Sequence, residues 1–208
     1  MYHSKKDLVS DVVKGSDIVL DVGFAGQALQ ENASDWPHAF LKERAREVYG
    51  LDLELPDTYT DDPHYAAASA ENFSFPLQFD VIFAGDLIEH LSNPGLFLDS
   101  CKRHLKQGGR LILTTPNTFS FFSLIEKLTH DEPNINPDHT FYFNKRTITV
   151  LLAKNGWSVA EFSTMYDMLG TLWQGGWKRK LLASIYYLLS TLTEKFATTM
   201  VVIAQPST

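Results

Sequence analysis

Three features of the 208-residue chain predict an α/β fold built on a mostly parallel sheet. Short apolar, β-branched runs alternate with stretches of helical period, a glycine turn closes the first run, and an acidic residue ends the second. Alternation of this kind builds right-handed βαβ units, which put helices on both faces of the sheet. Ligands of such sheets bind outside the carboxyl ends of the strands, where the strand order reverses. The length suits one α/β core, so residues 1–208 are expected to form a single domain.

Residues 16–22 (SDIVLDV) read as a buried parallel strand entering a tight turn at Gly23. Residues 36–47 carry Phe40, Leu41 and Ala45 between Lys42, Glu43, Arg44 and Arg46, a helical period with a charged outer face. A second strand is predicted at 48–53, and the Asp-, Thr- and Pro-rich stretch 56–63 reads as a loop. Further strands are predicted at 79–84, 110–115, 157–162 and 198–204. Helices are predicted at 87–105, ending on the turn Gln107-Gly108-Gly109, and at 147–155, ending at Gly156.

Composition narrows the function classes. Apolar residues at 44% and charged residues at 21% are globular proportions, not those of a disordered chain. A formal charge of -7 supplies no overall basic field for a phosphate backbone, so nucleic acid is not an expected partner. Cys101 is the single cysteine, which excludes an internal disulfide and any cysteine-cluster metal site. Residues 1–15 are charged and lack the apolar stretch of a signal peptide, and no run is long enough to span a bilayer. A reducing, cytoplasmic setting is the expectation, and no metal is expected.

The glycine turn and the acid carry the first chemical signal. Glycine after a strand permits positive φ and close backbone approach, while a helix amino terminus offers N–H donors to an anion. Such a turn also arises for packing alone. The dinucleotide pattern G-x-G-x-x-G is absent, because Ala25 and Ala28 occupy the later glycine positions, which weighs against a nicotinamide-dependent oxidoreductase. Asp52, one βα unit downstream, can accept both hydroxyls of a ribose; the alternative is an aspartate capping the next segment.

Five blocks extend this signal: LDVGFAG at 20–26, VYGLDLE at 48–54, SAENFSF at 69–75, FDVIFAGDLIEHLSNP at 79–94 and LKQGGRLILTTPN at 105–117. In this order and spacing the chain resembles the class I S-adenosylmethionine-dependent methyltransferases, in particular the ubiquinone-biosynthesis O-methyltransferase-like group (methyltransferase types 11 and 23). The resemblance covers about residues 17–159, with a final strand at 199–204. It implies a Rossmann-like, seven-stranded sheet whose last strand is antiparallel, with S-adenosylmethionine as donor and S-adenosylhomocysteine as product. It also implies roles: Gly23, Phe24 and Ala25 wrap the methionine part of the donor, with Asp21 near its ammonium end. Asp52 holds the ribose, Leu53 lies on the adenine, Ala70 and Glu71 edge it, and Gly85 and Asp86 face the sulfonium region. Two departures bear on donor affinity: Gln27 replaces the last glycine of the turn, and Ser69 replaces an aspartate facing the adenine amino group.

Methyl transfer from a sulfonium is an in-line displacement that requires positioning, and a base only where the acceptor keeps its proton. The acceptor-side candidates are Asp86, Glu89, His90, Asn117 and His139, with His139, Asp86 and His90 the catalytic choices. A histidine titrates in the right range for a base, although His139 could equally tie down a loop and His90 could be structural. Glu89 and His90, being adjacent, would not share a helix face and so make no ready metal pair. Residues 173–196 bring the basic cluster Trp177-Lys178-Arg179-Lys180 before Leu181, Leu182, Ile185, Tyr186, Leu188, Leu189 and Leu192 at helical spacing. This segment, about 171–196, is either a core helix or an acceptor-side insertion suited to a lipid-linked substrate or a membrane surface. The expected activity is methyl transfer to a small-molecule acceptor at oxygen. The competing expectation, raised by Gln27 and Ser69, is a non-catalytic binding module that keeps the fold. The acceptor and the oligomeric state are not legible.

Overall fold

The computed structural model describes residues 1–26, 36–129, 136–166 and 176–207. Seven strands form one sheet: β1 Ile18–Val22, β2 Glu47–Asp52, β3 Tyr65–Ala67, β4 Phe79–Gly85, β5 Leu105–Pro116, β6 Trp157–Met165 and β7 Thr199–Pro206. Their order is β3-β2-β1-β4-β5-β7-β6. The first five pair in parallel, and β7 runs antiparallel between β5 and β6. The resemblance implied this mixed seven-stranded topology. Six α-helices are described: α1 Lys5–Val12, α2 Pro37–Arg44, α3 Pro94–His104, α4 Phe121–Thr129, α5 Lys145–Lys154 and α6 Trp177–Leu192.

Strand alternation sends neighbouring side chains to opposite faces, and each face has its own helices. Leu20, Ile82, Leu111 and Val202 pack with Phe97 and Cys101 of α3 and Ile148 and Leu152 of α5. Val19, Val81, Ile112 and Val201 pack with Leu8 and Val12 of α1 and Leu41 of α2. The two layers leave the carboxyl ends of β1 and β4 side by side, and the strand order reverses between them. That reversal opens the crevice in which the site lies.

Several boundaries differ from the sequence expectation. The helix expected at 87–105 is interrupted: a 3-10 turn spans Ile88–His90, and α3 starts only at Pro94. Asn93 accepts from the Leu96 amide as N-cap, and Pro94 disfavours helical backbone in the residue before it. The Gln107-Gly108-Gly109 turn lies inside β5, where the pairing shifts register between Phe79 and Val81, so α3 ends at His104. Helix α1 was not anticipated; the Ser4 hydroxyl caps it and Leu8, Val9 and Val12 bury its inner face. Strand β3 and helix α4 were not anticipated either. The α5 helix opens on a capping box between Asn144 and Thr147.

Helix α6 falls within the expected insertion. Its Ala183 and Tyr186 are buried, and the Tyr186 ring packs against Tyr166, Phe121 and Phe122. Trp177, Leu181, Ile185, Tyr187 and Leu188 of the same helix are exposed. Among the described residues no helix is long and apolar enough to cross a membrane. Gln27, Ala28 and Trp173 lie outside the described residues.

Candidate functional site

The site is organised by the turn after β1. Gly23 has φ +79°, and its amide donates to the Leu51 carbonyl at 2.7 Å. The positive φ favours glycine there, and a Cβ would also press on Leu87 Cδ1 at 3.1 Å. The next amides point at the acid ending β2. Asp52 Oδ2 accepts from Ala25 N at 2.9 Å and Gly26 N at 3.3 Å, and Oδ1 accepts from Leu53 N at 2.7 Å. Burial raises the Asp52 pKa, and the three amide donors oppose that shift.

A cavity of about 310 Å³ opens against these residues. Gly23, Asp52, Leu53, Ala70, Glu71 and His90 line it, as does Ser69. The Ser69 hydroxyl accepts from the Glu71 amide at 3.2 Å, so part of its hydrogen-bonding capacity is spent on the local turn. Glu71 Oε1 accepts from the Asn93 amide at 2.7 Å and ties this rim to the start of α3.

Other predicted residues sit behind the cavity. Asp21 is buried, and its Oδ2 lies 2.9 Å from Nδ1 of His38, whose Nε2 lies 2.9 Å from the Tyr65 hydroxyl. Phe24 is buried among His38, Tyr59 and Tyr65, and its carbonyl accepts from Trp36 Nε1 at 2.8 Å. Gly50 on β2 makes room for this cluster: a Cβ would fall 2.5 Å from the Tyr65 ring and 2.8 Å from the Phe24 ring. Asp21 and Phe24 thus support the glycine turn from beneath and do not line the cavity.

At the end of β4, Gly85 is half-buried and Asp86 has φ +51°. The Asp86 carboxylate accepts from the Thr114 hydroxyl at 2.9 Å and pairs with Lys5 Nζ at 2.9 Å, which brings helix α1 to this edge. The 3-10 turn that follows carries Glu89 and His90. Glu89 is 1% exposed; Oε2 accepts from the Thr115 hydroxyl at 2.9 Å, and Oε1 has no hydrogen-bond partner among the described residues. Burial, and secondarily the Asp86 carboxylate, push the Glu89 pKa up to about 8. His139 lies edge-on to His90, with ring centroids 4.5 Å apart at 84°. Its own pKa is lowered, first by burial and then by His90. The His139 segment is stitched to the turn: Thr140 N and Phe141 N donate to the Glu89 carbonyl at 2.9 and 3.2 Å, and the Thr140 hydroxyl donates to the Glu89 and Leu91 carbonyls. Asn117 is committed elsewhere, its Nδ2 donating to the Lys195 and Ala197 carbonyls.

The raised Glu89 pKa makes a stability prediction. The group binds its proton more tightly in the folded state, so its stabilising contribution is complete below the ordinary carboxylate pKa and is lost as pH rises towards 8. Glu89→Gln is therefore expected to gain stability relative to the parent between pH 5 and pH 8 in urea unfolding. A difference between the two proteins that does not change with pH would refute the assignment.

Sequence reasoning had no signal for His38, Tyr65, Thr115 or Thr140, because each meets its partner only after distant segments pack. Comparison with known proteins now places the chain. Residues 12–161 match the family model described as a methyltransferase domain. The ubiquinone biosynthesis O-methyltransferase of Azoarcus sp. (strain BH72) is 29% identical over 110 residues, covering 48% of this chain and 44% of that protein. The chain thus spans less than half the length of that relative. The protein of the same name from Pseudomonas fluorescens (strain SBW25) is 24% identical over 204 residues, covering 85% of this chain and 78% of that protein. The fold is shared with the Burkholderia thailandensis 1,6-didemethyltoxoflavin-N1-methyltransferase, solved with 1,6-didemethyltoxoflavin and S-adenosylhomocysteine bound. The TM-score is 0.59 at 15% identity, over 99% of this chain and 80% of that one. With a family match over well more than half its length, the chain belongs to the methyltransferase-domain family.

Proposed function

We propose that the protein transfers the methyl group of S-adenosylmethionine to an oxygen of a small-molecule acceptor. The observation that carries this reading is the open cavity at the reversal of strand order, with Asp52 held at its wall by the amides of the glycine turn. Gly23 and Ala25 would bracket the methionine part, Asp52 would take the ribose hydroxyls, and Leu53, Ala70 and Glu71 would border the adenine. Gly85 and Asp86 would stand towards the sulfonium, where a carboxylate is favourable on Coulomb grounds.

Transfer to a hydroxyl needs its proton removed. His90 lines the cavity and His139 stands edge-on to it, and the lowered pKa of His139 favours the unprotonated imidazole that a proton acceptor requires. The exposed apolar residues of α6, following a basic lead-in, favour a hydrophobic or lipid-linked acceptor met at a membrane surface. The sheet draws strands from both ends of the chain, which supports reading residues 1–208 as one domain.

Isothermal titration with S-adenosylhomocysteine tests the reading. Saturable binding is expected, and its absence at about millimolar ligand, a free energy of only about 4 kcal/mol, would overturn the proposal.

A further inference from the structure

We propose that Lys5 sets the preference of the site between methyl donor and demethylated product. Its ammonium holds the Asp86 carboxylate until a cationic donor replaces it, and it resumes that place once the donor has become neutral. The inference rests on the methyl-transfer reading above and deepens it.

The ion pair stands beside the cavity. Asp86 immediately precedes Leu87, which lines the cavity and approaches Gly23. Its backbone is left-handed, with φ +51°, a conformation that residues other than glycine seldom keep without support. Thr114 gives that support: the Asp86 amide donates to the Thr114 carbonyl at 3.0 Å, and the Thr114 hydroxyl donates to Asp86 Oδ1 at 2.9 Å. One carboxylate oxygen is thereby fixed. The other, Oδ2, meets Lys5 Nζ at 2.9 Å.

Lys5 reaches this edge because Tyr2 is tied to it. The Tyr2 amide donates to the Thr164 carbonyl at 2.8 Å, and the Tyr166 amide donates to the Tyr2 carbonyl at 3.2 Å. Both contacts lie at the carboxyl end of β6, on the same edge of the sheet as the end of β4. Helix α1 then opens at Lys5 with Ser4 as its cap. An anchored backbone and a flexible four-carbon stem let the ammonium leave and return without moving the helix. The two side chains are 23% and 33% exposed, and partly hydrated pairs of this kind are weak enough for a ligand cation to displace.

The reaction changes the charge that Asp86 meets. In transfer to a hydroxyl, a lone pair of the acceptor oxygen forms the bond to the methyl carbon. The electron pair of the carbon–sulfur bond stays on sulfur, and the acceptor proton passes to a base. The donor thus enters as a sulfonium and leaves as a neutral thioether. A sulfonium and the Lys5 ammonium repel each other when both approach one carboxylate, so the donor displaces Lys5, whereas the product leaves the pair intact. Lys5 therefore narrows the advantage of donor over product.

The test is isothermal titration of the full chain with S-adenosylmethionine and with S-adenosylhomocysteine, in the absence of acceptor, read as the ratio of the two dissociation constants. Lys5→Met should tighten S-adenosylmethionine by about 3- to 5-fold, the upper range for a partly exposed pair, and leave S-adenosylhomocysteine unchanged. Asp86→Asn should move the ratio in the opposite sense, weakening S-adenosylmethionine by about 5-fold with the product unaffected. Lys5→Arg, which keeps the charge, should stay near the parent ratio. An equal change for both ligands, as disturbed packing of α1 alone would give, would overturn the inference, and so would a ratio unmoved in both Lys5→Met and Asp86→Asn. A parent that binds neither nucleoside would sink the methyl-transfer reading and this inference with it. A parent that binds both, with an unmoved ratio in the variants, would leave that reading standing and remove only the role of Lys5.

Discussion

Asp52→Ala is expected to weaken S-adenosylhomocysteine binding by about 10²-fold or more, the largest effect on affinity of any single substitution in the cavity. Its carboxylate carries two tasks: it accepts from Ala25 N and Gly26 N, and it is the proposed seat of the ribose hydroxyls. Each hydrogen bond to a charged group contributes about 1.5–3 kcal/mol, and 1.4 kcal/mol is tenfold in affinity, so two lost bonds already reach that figure. Asp52→Asn keeps one acceptor oxygen and should fall between the parent and the alanine variant. Titration calorimetry reads both. A parent-like dissociation constant for Asp52→Ala would remove the central wall of the proposed donor site.

The largest loss of stability is expected from His38→Ala. His38 is fully buried and bridges two other buried polar groups, the Asp21 carboxylate and the Tyr65 hydroxyl. Its removal leaves both without that partner, at about 1–3 kcal/mol each, and opens a cavity inside the ring cluster. A total of about 3 kcal/mol or more lowers the melting temperature of a chain this size by about 6 °C or more. Tyr65→Phe removes only the outer hydroxyl and should cost about 1 kcal/mol, a net hydrogen bond. Because Phe24 packs directly on His38, the alanine variant should also loosen the glycine turn and lower donor affinity. A calorimetric melt within 1–2 °C of the parent would refute this role, since that shift is worth about 1 kcal/mol at most.

Much of this organisation was legible because it is written in local pattern. The β-branched runs, the glycine at the end of β1 and the acid at the end of β2 each carry a signal within a few residues, and the seven-stranded sheet with its antiparallel last strand followed from the family resemblance. What escaped depended on short elements or on partners far along the chain. Strand β3 has three residues, too few to display an alternation. The interruption before α3 was present in Asn93 and Pro94, but the apolar residues at Leu87, Ile88 and Leu91 imitate a helical start. Asp21 is the instructive site residue. By position it belongs to the donor site, yet the fold gives its carboxylate to a histidine 17 residues away, which neither periodicity nor spacing announces.

The Thr140 hydroxyl, set between the carbonyls of Glu89 and Leu91, has a consequence for how such an enzyme can diverge. It fastens the far end of a long excursion of the chain to the rim of the donor crevice. On the proposed reading, sequence change upstream of that anchor would alter the acceptor offered to the crevice while His139 keeps its station, so substrate range could drift without a redesign of the donor site.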